Sequence, residues 1–552
     1  WPKIVLMTDR AGAASTYPVR MWARIDRLAR PPSGLAALAL GLGVVNIVSA
    51  LTPELTERVR VVQTVLSPDA EVAARGLTLA AGVAMLLVAS SLARRKHRAW
   101  LLAVVVVAAS AVLHIAKGLD LEESIANVAL LVLLIRSRRW FDAPGDPASL
   151  RLLAAGSALL AWLVVAVLLV PSGHGMDEIR ILHVGVLALA VMTAIWLVHL
   201  WLRPWREPDA QSEDDHRRAR RIVLEWGDDS LSFFALRRDR RYAFSQRDDA
   251  LLAYRVVAGC ALVSGDPVGN PDSIPGMVRA FASLAHQRGW RLVVLHCSEE
   301  WVGLFREIGM RALPIGDEAV LCPHTFTLEG RAIRKVRQSV NRLARMGYTV
   351  TVASPADLTD ADRAAVEQVS QEWLNGWPDR GFSMAMDDLY AHPQARFALA
   401  RDGEGRLEGF LHLVPSRRGY SLSSMRRLRT SPNGLIEYLI AETAVWARGE
   451  QADEISLNFS VFADVLRADG TASWPLRATR WSLLRLDRLF QLERLFSFNR
   501  KFFPQWRRRY ICFERHRDVP VLGLATLHVE RLLAPPRQAW YRGLPAARDA
   551  RR

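Results

Sequence analysis

The chain has 552 residues, a formal net charge of +16 and a mean hydropathy of +0.08. That length exceeds one compact domain and leaves room for a membrane region beside one or two globular domains. The four cysteines, at positions 260, 297, 322 and 512, stand singly without CxxC or Cys/His spacing, which argues against a zinc site and a disulfide framework. The basic excess favours contact with RNA or an anionic membrane surface, unless much of it is arginine that sets membrane topology.

An apolar region over residues 34–204 predicts about six transmembrane helices, preceded by a cytosolic segment over residues 1–33. A spanning helix needs roughly 20 apolar residues. Six stretches approach that length: Gly34–Leu51, Gly76–Leu92, Trp100–Ala116, Ile125–Ile135, Leu150–Val170 and Ile181–Leu202. The fourth stretch is short, so a re-entrant or tilted segment is an alternative there.

Arginine clusters between these stretches indicate their orientation. One cluster, Arg20–Arg30, precedes the first stretch. Three more follow the second, fourth and sixth stretches: Arg94–Arg98, Arg136–Arg139 and Arg203–Arg206. The positive-inside rule therefore places both termini and everything after Trp205 in the cytosol. Four polar residues lie near predicted helix ends: His114, Lys117, His183 and His199. They are interpreted either as side chains that snorkel to the interface or as part of a transport pathway.

The second part of the chain predicts an α/β domain over residues 222–535, between a polar linker at 205–221 and a basic tail at 536–552. Strand-like apolar runs are Leu252–Val263, Arg291–His296, Tyr348–Val352, Arg396–Ala400, Gly409–Val414 and Ile455–Phe459. Stretches with a helical period alternate with them: Ile274–Gln287, Asp360–Leu374 and Leu435–Arg448. Two similar-sized halves divided near 330–347 suit a tandem acyltransferase-like fold.

Two basic stretches are candidates for contact with polyanions. In the first, Arg331–Met346, an apolar stripe predicts a helix that docks on the domain; its members are Ile333, Val336, Val340 and Leu343. The other faces carry Arg331, Arg334, Lys335, Arg342 and Arg345, either as phosphate contacts or as a solvated basic face. The second, Arg480–Tyr510, interleaves aromatic with basic residues, as in a surface resting on anionic lipid or an amphipathic core helix.

Several segments of this domain, taken in their order, resemble one known family. They are GDPVG at 265–269, the helix at 331–347, GFSMAM at 381–386, SMRR at 424–427, PNG at 432–434 followed by Glu437, SLNF at 456–459 and FNRKFFPQWRRRY at 498–510. Over residues 227–513 the chain resembles the aminoacyl-phosphatidylglycerol synthases, in a short form with fewer transmembrane helices. These proteins are also called multiple peptide resistance factor or phosphatidylglycerol lysyltransferase proteins.

The resemblance implies a multi-pass protein of the bacterial cell membrane whose cytosolic domain contains two acetyltransferase-like (GNAT-like) folds. The implied reaction transfers an aminoacyl group, with lysyl expected, from aminoacyl-tRNA to phosphatidylglycerol. The cationic product lowers the negative charge of the membrane and favours resistance to cationic antimicrobial peptides. Because the aminoacyl ester is already activated, neither a cofactor nor a metal is expected. Membrane dimers occur among such proteins, so a homodimer is an open alternative.

The resemblance and the chemistry of ester exchange select the candidate site residues. The candidate catalytic residues are Arg426, Lys501, Asp379 and Glu437, the cations for phosphate or oxyanion and the carboxylates for the amino group. The candidate substrate-binding residues are Ser423, Arg427, Asn433, Asn458, Arg509 and Tyr510, and the tRNA-binding candidates are Arg331, Arg334, Lys335, Arg342 and Arg345. Ser423 stands where the family commonly has Asp, so a carboxylate that could bind the substrate ammonium group is missing.

Other interpretations stay open. Glu437 also suits the first turn of a helix that begins after a turn at Asn433-Gly434, and Asp379 also suits an ordinary loop. An acyl-CoA-dependent acetyltransferase needs a pyrophosphate-binding loop, and the nearest match, Arg401–Gly405, has the wrong spacing and is typical of a hairpin turn. A transferase that uses another aminoacyl-tRNA or acyl donor is a further alternative, as is a transporter or sensor whose basic domain only binds lipid or RNA.

Overall fold

The computed structural model describes residues 31–52, 68–118, 121–146, 149–169, 177–203, 212–379, 381, 384–461 and 492–531. The chain divides into two compact units. The first, here called the helical unit, is residues 1–206 with 286–290. The second, here called the sheet unit, is residues 207–285 with 291–552.

Six α-helices make up the helical unit among the residues that the structure describes. Their bounds are Pro31–Leu51 (α1), Pro68–Leu92 (α2), His97–Gly118 (α3), Leu121–Arg136 (α4), Ser149–Leu169 (α5) and Asp177–Trp201 (α6). Each predicted apolar stretch coincides with one of them. Within the described ranges, three helices are long and apolar enough to cross a membrane: Pro32–Leu51, His97–Ile115 and Ser149–Ala166. Two shorter apolar helices are Gly76–Leu92 and Gly185–Trp201, so the lengths support three of the six predicted spans.

A buried hydrogen-bonded cluster joins α1 to α3. The Nδ2 of Asn46 donates to the Oγ of Ser110 at 2.7 Å, and the Nε2 of His114 lies 3.0 Å from the Oδ1 of Asn46. The interpretation of His114 as a snorkelling residue is therefore wrong, because its ring is fully buried in an interhelical hydrogen bond. The side chains of Lys117 and His183 lie outside the described residues, and His199 is exposed.

The described part of the sheet unit is built on one sheet of twelve strands. The strands are Arg241–Phe244 (β1), Ala250–Val257 (β2), Cys260–Ser264 (β3), Val268–Gly269 (β4), Arg291–Ser298 (β5), Arg311–Leu321 (β6), Thr349–Ala353 (β7), Arg396–Arg401 (β8), Leu407–Ser416 (β9), Gly419–Arg427 (β10), Glu454–Val461 (β11) and Gln505–Phe513 (β12). Their spatial order is β1-β2-β3-β5-β12-β6-β11-β10-β9-β8-β7, with β4 paired to β2.

Eight α-helices accompany these strands in the described part of the unit. They are Glu213–Trp226 (α7), Ile274–Gln287 (α8), Glu299–Glu307 (α9), Arg334–Arg345 (α10), Asp360–Leu374 (α11), Leu435–Gly449 (α12), Leu492–Asn499 (α13) and Val519–Val529 (α14). The helical periods that predicted α8, α11 and α12 match the observed bounds to within one residue.

The sheet consists of two halves, and each contains the same kind of helical connection between parallel strands. In the first half β3 runs parallel to β5 and α8 connects them, and in the second half β10 runs parallel to β11 and α12 connects them. Antiparallel pairing of β6 with β11 joins the halves. The repeated βαβ arrangement beside antiparallel neighbours confirms the predicted acetyltransferase-like fold class.

Strand β12 completes the first half although it comes from the end of the described chain. It lies between β5 and β6 and runs antiparallel to both. The interpretation of the second basic stretch as an amphipathic core helix is therefore wrong for residues 505–510, which form part of a strand. Residues 480–491 of that stretch lie outside the described residues.

The six predicted strand-like runs are all strands, with one refinement. Leu252–Val263 is a hairpin of β2 and β3 that turns at Ala258-Gly259, where both φ angles are positive. The segment Arg401–Gly405 leads from β8 to the antiparallel β9, which confirms the interpretation as a hairpin turn.

Helix α7 begins inside the predicted linker. Ser212 caps it by accepting a hydrogen bond from the N–H of Asp215 at 3.0 Å. Its buried residues are Ala219, Ile222 and Val223. The linker prediction is therefore wrong from residue 213 onward, because the apolar face occupies only the later turns and gives no sustained helical period.

Candidate functional site

The parallel strands β10 and β11 separate in the second half of the sheet. They pair over Gly419–Ser421 and Glu454–Ser456, and no further pairing between them follows in the described chain. A bulge comes next in each strand, at Ser423 in β10 and at Leu457-Asn458 in β11. Backbone pairing between the two strands therefore ends before their carboxyl ends, the edge at which α/β sheets bind ligands.

Asn458 links the two strands beyond their last backbone pair through its side-chain amide. Its Nδ2 donates to the carbonyl oxygen of Leu422 at 3.0 Å and to that of Met384 at 2.8 Å. Its φ of +73° is uncommon for a residue other than glycine. Ser423 lies nearby and accepts a hydrogen bond at Oγ from the N–H of Met386 at 3.0 Å. Two predicted substrate-binding residues thus tie the 384–386 segment to the separated strands.

The first half of the sheet unit holds the same segment. Buried Arg237 donates from Nη1 to the carbonyl oxygen of Ala385, and its Nε lies 3.0 Å from the Oδ1 of Asp239. The backbone N–H of Arg238 donates to Asp387 at 2.9 Å. Sequence reasoning missed Arg237, because no local pattern links it to a loop 148 residues further along the chain.

Arg426 and Asp379 form an ion pair on the face of the sheet that α11 covers. The Nη2 of Arg426 lies 2.5 Å from the Oδ2 of Asp379, and its guanidinium carbon lies 6.0 Å from the ring centroid of Phe410. Phe410 belongs to the core that packs against α11. Arg426 is buried, whereas the side chain of Asp379 is 41% exposed and accessible to a ligand.

Lys501 and Glu437 form a second ion pair, with 2.8 Å between Nζ and Oε1. Glu437 stands in the first turn of α12, whose N-cap is Gly434, as its structural interpretation predicted. Lys501 lies in the 3-10 turn at 500–502, and Phe502 belongs to the core that packs against α12.

The four predicted catalytic residues therefore form two separate ion pairs on opposite faces of the sheet. Leu411 belongs to the α12 core, while its neighbour Phe410 belongs to the α11 core. Successive residues of a strand point to opposite faces, so the two cores lie on different sides of β9.

Helix α10 has the predicted arrangement of an apolar stripe and basic outer faces. The stripe of Ile333, Val336, Val340 and Leu343 is buried. The predicted tRNA-binding residues are all exposed: Arg331, Arg334, Lys335, Arg342 and Arg345. Three of them, Lys335, Arg342 and Arg345, line a surface groove together with Gln338, Ser339 and Asn341.

This basic helix is fixed to the start of α12. Arg342 donates from Nη2 to the carbonyl oxygen of Asn433. A Cβ on Gly434, where φ is +88°, would lie 2.5 Å from the Oγ of Ser339, so the close approach requires glycine. Arg427 donates to the carbonyl oxygen of Ser431 at 2.9 Å and thereby orders the same connection. Two more predicted residues, Asn433 and Arg427, are thus part of the scaffold beneath the groove.

Arg509 lies in a buried charge cluster rather than at an open surface. Its Nη2 lies 2.5 Å from Glu318 and 2.6 Å from Asp229, and its Nη1 lies 3.6 Å from Asp266. Glu318 also accepts hydrogen bonds from Ser230 and Ser456, each at 2.5 Å. The contacts of Arg509 with its neighbours engage a guanidinium that the sequence interpretation selected for substrate binding.

The protonation of the acidic residues in this cluster depends on how strongly each one interacts with Arg509. Burial, and then the charge of Asp229, raise the pKa of Asp266 to about 7, against the opposing charge of Arg509. Burial, the largest influence, would raise the pKa of Glu318, but the charge of Arg509 and the hydrogen bonds from Ser230, Ser456 and Arg509 together outweigh it, so the pKa lies below its ordinary value. Arg509 is thus compensated mainly by Glu318 and Asp229.

Tyr510, the last predicted substrate-binding residue, lies next to an acidic side chain. Its Oη is 3.5 Å from the Oε1 of Glu299. Partial burial, followed by the Glu299 charge, raises the pKa of this phenol, so it is a neutral hydrogen-bond donor at physiological pH.

Comparison with known proteins gives the family context. The chain matches the family model described as "Phosphatidylglycerol lysyltransferase, C-terminal" over residues 220–513. The lysylphosphatidylglycerol biosynthesis bifunctional protein LysX of Rhodococcus opacus is 36% identical over 358 residues, which are 63% of this chain and 32% of that protein. This chain thus spans about a third of the length of the curated relatives that it matches.

Two solved structures share the architecture of the sheet unit. The structure of L-PGS from Bacillus licheniformis is 25% identical with a TM-score of 0.51, and the match covers 58% of this chain and 99% of that chain. A C-terminal domain from Agrobacterium fabrum is 22% identical with a TM-score of 0.51 and coverages of 57% and 97%. The second likeness supports the fold alone.

Proposed function

We propose, because the chain belongs to the phosphatidylglycerol lysyltransferase family, that it transfers a lysyl group from aminoacyl-tRNA to phosphatidylglycerol in the bacterial cell membrane. The observation that carries the proposal is the family match across the sheet unit. The basic helix α10, fixed to the start of α12, supports the choice of a polyanionic donor. The product is a cationic lipid that reduces the negative surface potential and thus the attraction of cationic antimicrobial peptides.

The donor binds along α10 in this proposal. The exposed cations contact the phosphates of the tRNA acceptor end, while the buried stripe keeps the helix on the domain. Since Arg342 links α10 to Asn433, a phosphate held on α10 is positioned relative to the first turn of α12 and to Lys501, which pairs with Glu437 there.

The chemistry is an exchange of one ester for another. A glycerol hydroxyl of phosphatidylglycerol attacks the aminoacyl carbonyl, a tetrahedral oxyanion forms, and the ester bond to the terminal ribose of tRNA breaks. The proton lost by the glycerol oxygen goes to the ribose oxygen. Lys501 stabilises the oxyanion, since its side chain is 40% exposed and its ammonium group has donors beyond its contact with Glu437.

Asp379 supplies the negative charge that recognises the substrate ammonium group. Ser423 has no carboxylate to offer, and it is buried against Met386. Asp379 is partly exposed and is oriented by Arg426. Because Lys501 and Asp379 lie on opposite faces of the sheet, this proposal requires the aminoacyl group to cross the sheet where β10 and β11 no longer pair, beside Asn458.

The direct test is an acyl-transfer assay with the purified full chain. Phosphatidylglycerol vesicles are incubated with tRNA charged in turn with radiolabelled lysine, alanine or arginine, followed by lipid extraction and ribonuclease controls. Label that enters the lipid from lysyl-tRNA supports the proposal. Absence of transfer from all three charged tRNAs, with folded protein, would favour a module that binds lipid or RNA without catalysis.

A matched pair of variants tests the donor surface. Changing Arg334, Lys335 and Arg345 together to Gln should raise KM for charged tRNA by about tenfold or more and lower the salt dependence of binding by roughly one counterion per lost contact. Changing Arg279 to Gln, on the exposed face of α8, removes a charge away from α10 and should leave KM unchanged.

A further inference from the structure

Helix α14 differs from the other described helices of the sheet unit in its lack of acidic, lysine and arginine side chains. Its sequence, VPVLGLATLHV, contains no Asp, Glu, Lys or Arg. Its inner side packs Leu522, Ala525 and Val529 against the first-half core, which includes Leu262 and Val293. By contrast, α7 to α10 carry charged residues on their outer sides.

The outer side of α14 is apolar over its first turns and open to solvent, and exposed His528 adds a polar side chain in its last turn. Val519 is 44% exposed and Leu524 is 60% exposed, and Pro520 and Gly523 between them are also exposed. A helix side that presents several large apolar residues is normally covered, by protein or by lipid. An uncovered side of this kind therefore indicates a surface that something else covers.

Cations surround both ends of this apolar side. Exposed Arg515 and Arg517 precede α14, and exposed Arg531 follows it. The acidic residue at its start, Asp518, is compensated by Arg291, with 2.9 Å between Nε and Oδ1. The remaining acidic neighbours, Glu514 and Glu530, are only partly exposed.

The sequence that follows α14 has the same character. Residues 532–552 contain five arginines and one acidic residue, with Trp540 and Tyr541 among them. Arginine beside Trp and Tyr is typical of segments at the boundary between lipid headgroups and acyl chains.

We propose that α14 lies in the surface of an anionic bilayer, with Val519, Pro520 and Leu524 inserted among the acyl chains and the flanking arginines on the headgroups. A helix of 11 residues is about 16 Å long, so its outer side is too small for a stable protein interface of standard size. It does suit interfacial binding, which needs a short apolar side and adjacent cations. The docking goes beyond the proposed transfer reaction and does not depend on it.

Photocrosslinking in nanodiscs tests this docking on the full chain. A diazirine amino acid is placed at position 524, or at position 445 as a control, in nanodiscs whose phosphatidylglycerol carries an alkyne tag. Val445 is an exposed apolar residue of α12, 53% exposed, so it matches Leu524 in character but lies on another helix. The expected result is a lipid adduct at 524 at least about fivefold stronger than at 445.

Two other outcomes would overturn the proposal. Crosslinks from position 524 to protein would assign the cover of α14 to a second copy or to the 532–552 segment. Equal lipid labelling at both positions would show that contact with lipid is non-specific.

A substitution gives an independent measurement. With the probe at position 519, Leu524→Glu should lower lipid labelling about fivefold or more, because a carboxylate opposes both insertion and the anionic headgroups, whereas Val445→Glu should not. Both substituted sites are exposed, and unchanged melting temperatures would confirm folding. Undiminished labelling in Leu524→Glu would refute the docking whether or not the chain transfers lysine.

Discussion

Replacing Arg509 with Met tests whether the buried charge cluster supports the fold or the chemistry. The substitution keeps a long side chain but removes the cation that Glu318 and Asp229 share, at 2.5 and 2.6 Å. Glu318 is fully buried, so its carboxylate would stay charged without a partner or take up a proton. Either result favours the unfolded chain, in which the carboxylate is hydrated.

The expected loss of stability in each variant depends on how deeply the charged partners are buried. Removing one member of a buried ion pair destabilises a protein by about 3–5 kcal/mol, which lowers the melting temperature by roughly 6–15 °C. Glu318→Gln should destabilise by only about 1–2 kcal/mol, because Arg509 keeps Asp229 as its counterion. In the double variant no buried carboxylate is left unpaired at position 318. Its loss of folding stability should therefore be about 2 kcal/mol smaller than the sum of the losses in the two single variants.

Melting of the four proteins in detergent, followed by tryptophan fluorescence, measures these differences. Transfer from lysyl-tRNA to phosphatidylglycerol, measured at a temperature where all four are folded, gives the second readout. A double variant that melts no higher than the additive expectation would contradict the charge-sharing argument. An Arg509→Met protein with unchanged melting temperature but no transfer would show that Arg509 acts on the substrate, and the structural assignment would be wrong.

Three further predictions follow from the other contacts of the site. The raised pKa of Asp266, about 7 against an ordinary value near 4, means that the native state holds a proton that the unfolded chain releases, so this group lowers stability as pH rises. As the pH is raised from roughly 6 to 8, the free energy of unfolding of Asp266→Asn should therefore rise by about 1 kcal/mol relative to that of the parent, measured by melting. A difference between the two proteins that stays constant over this range would contradict the raised pKa. Asp379→Asn should raise KM for lysyl-tRNA about tenfold with a smaller effect on kcat, because it removes a binding charge; an unchanged KM would exclude Asp379 from amine recognition. Gly434→Ala should lower the melting temperature by several degrees, because its Cβ would meet the side chain of Ser339, and Ser339→Gly in the same chain should restore part of the loss.

Local patterns in the sequence were sufficient for the parts of the fold with sustained periodicity. The stripe of Ile333, Val336, Val340 and Leu343 predicted both α10 and its buried side. The runs that became β5, β8 and β9 are apolar enough to stand out. The same approach missed β6 and β10, because buried Asp317 and Glu318 in the first, and several serines in the second, interrupt the apolar pattern.

The arrangement of the site depends on contacts that local patterns do not contain. Arg509 and Glu318 are 191 residues apart, and only their positions on the adjacent strands β12 and β6 bring them together. The sequence selected Asp379, Arg426, Lys501 and Glu437 as candidate catalytic residues and did not predict that they interact with one another. It could not show that they pair as two couples on opposite faces, because that depends on which side of the sheet each helix covers.

The position of β12 makes the first half of the sheet depend on a strand that is synthesised long after its two neighbours. Strands β5 and β6 each pair with β12, yet it begins at Gln505, roughly 180 residues after β6 ends at Leu321. At about 5–20 residues per second, a ribosome leaves the facing edges of these strands unpaired for roughly 10–40 s. Unpaired strand edges promote association between chains, so nascent chains stalled in this interval should require chaperone protection. Chains truncated before Gln505 should accumulate in aggregates, whereas chains that include Phe513 have the strand that closes the sheet.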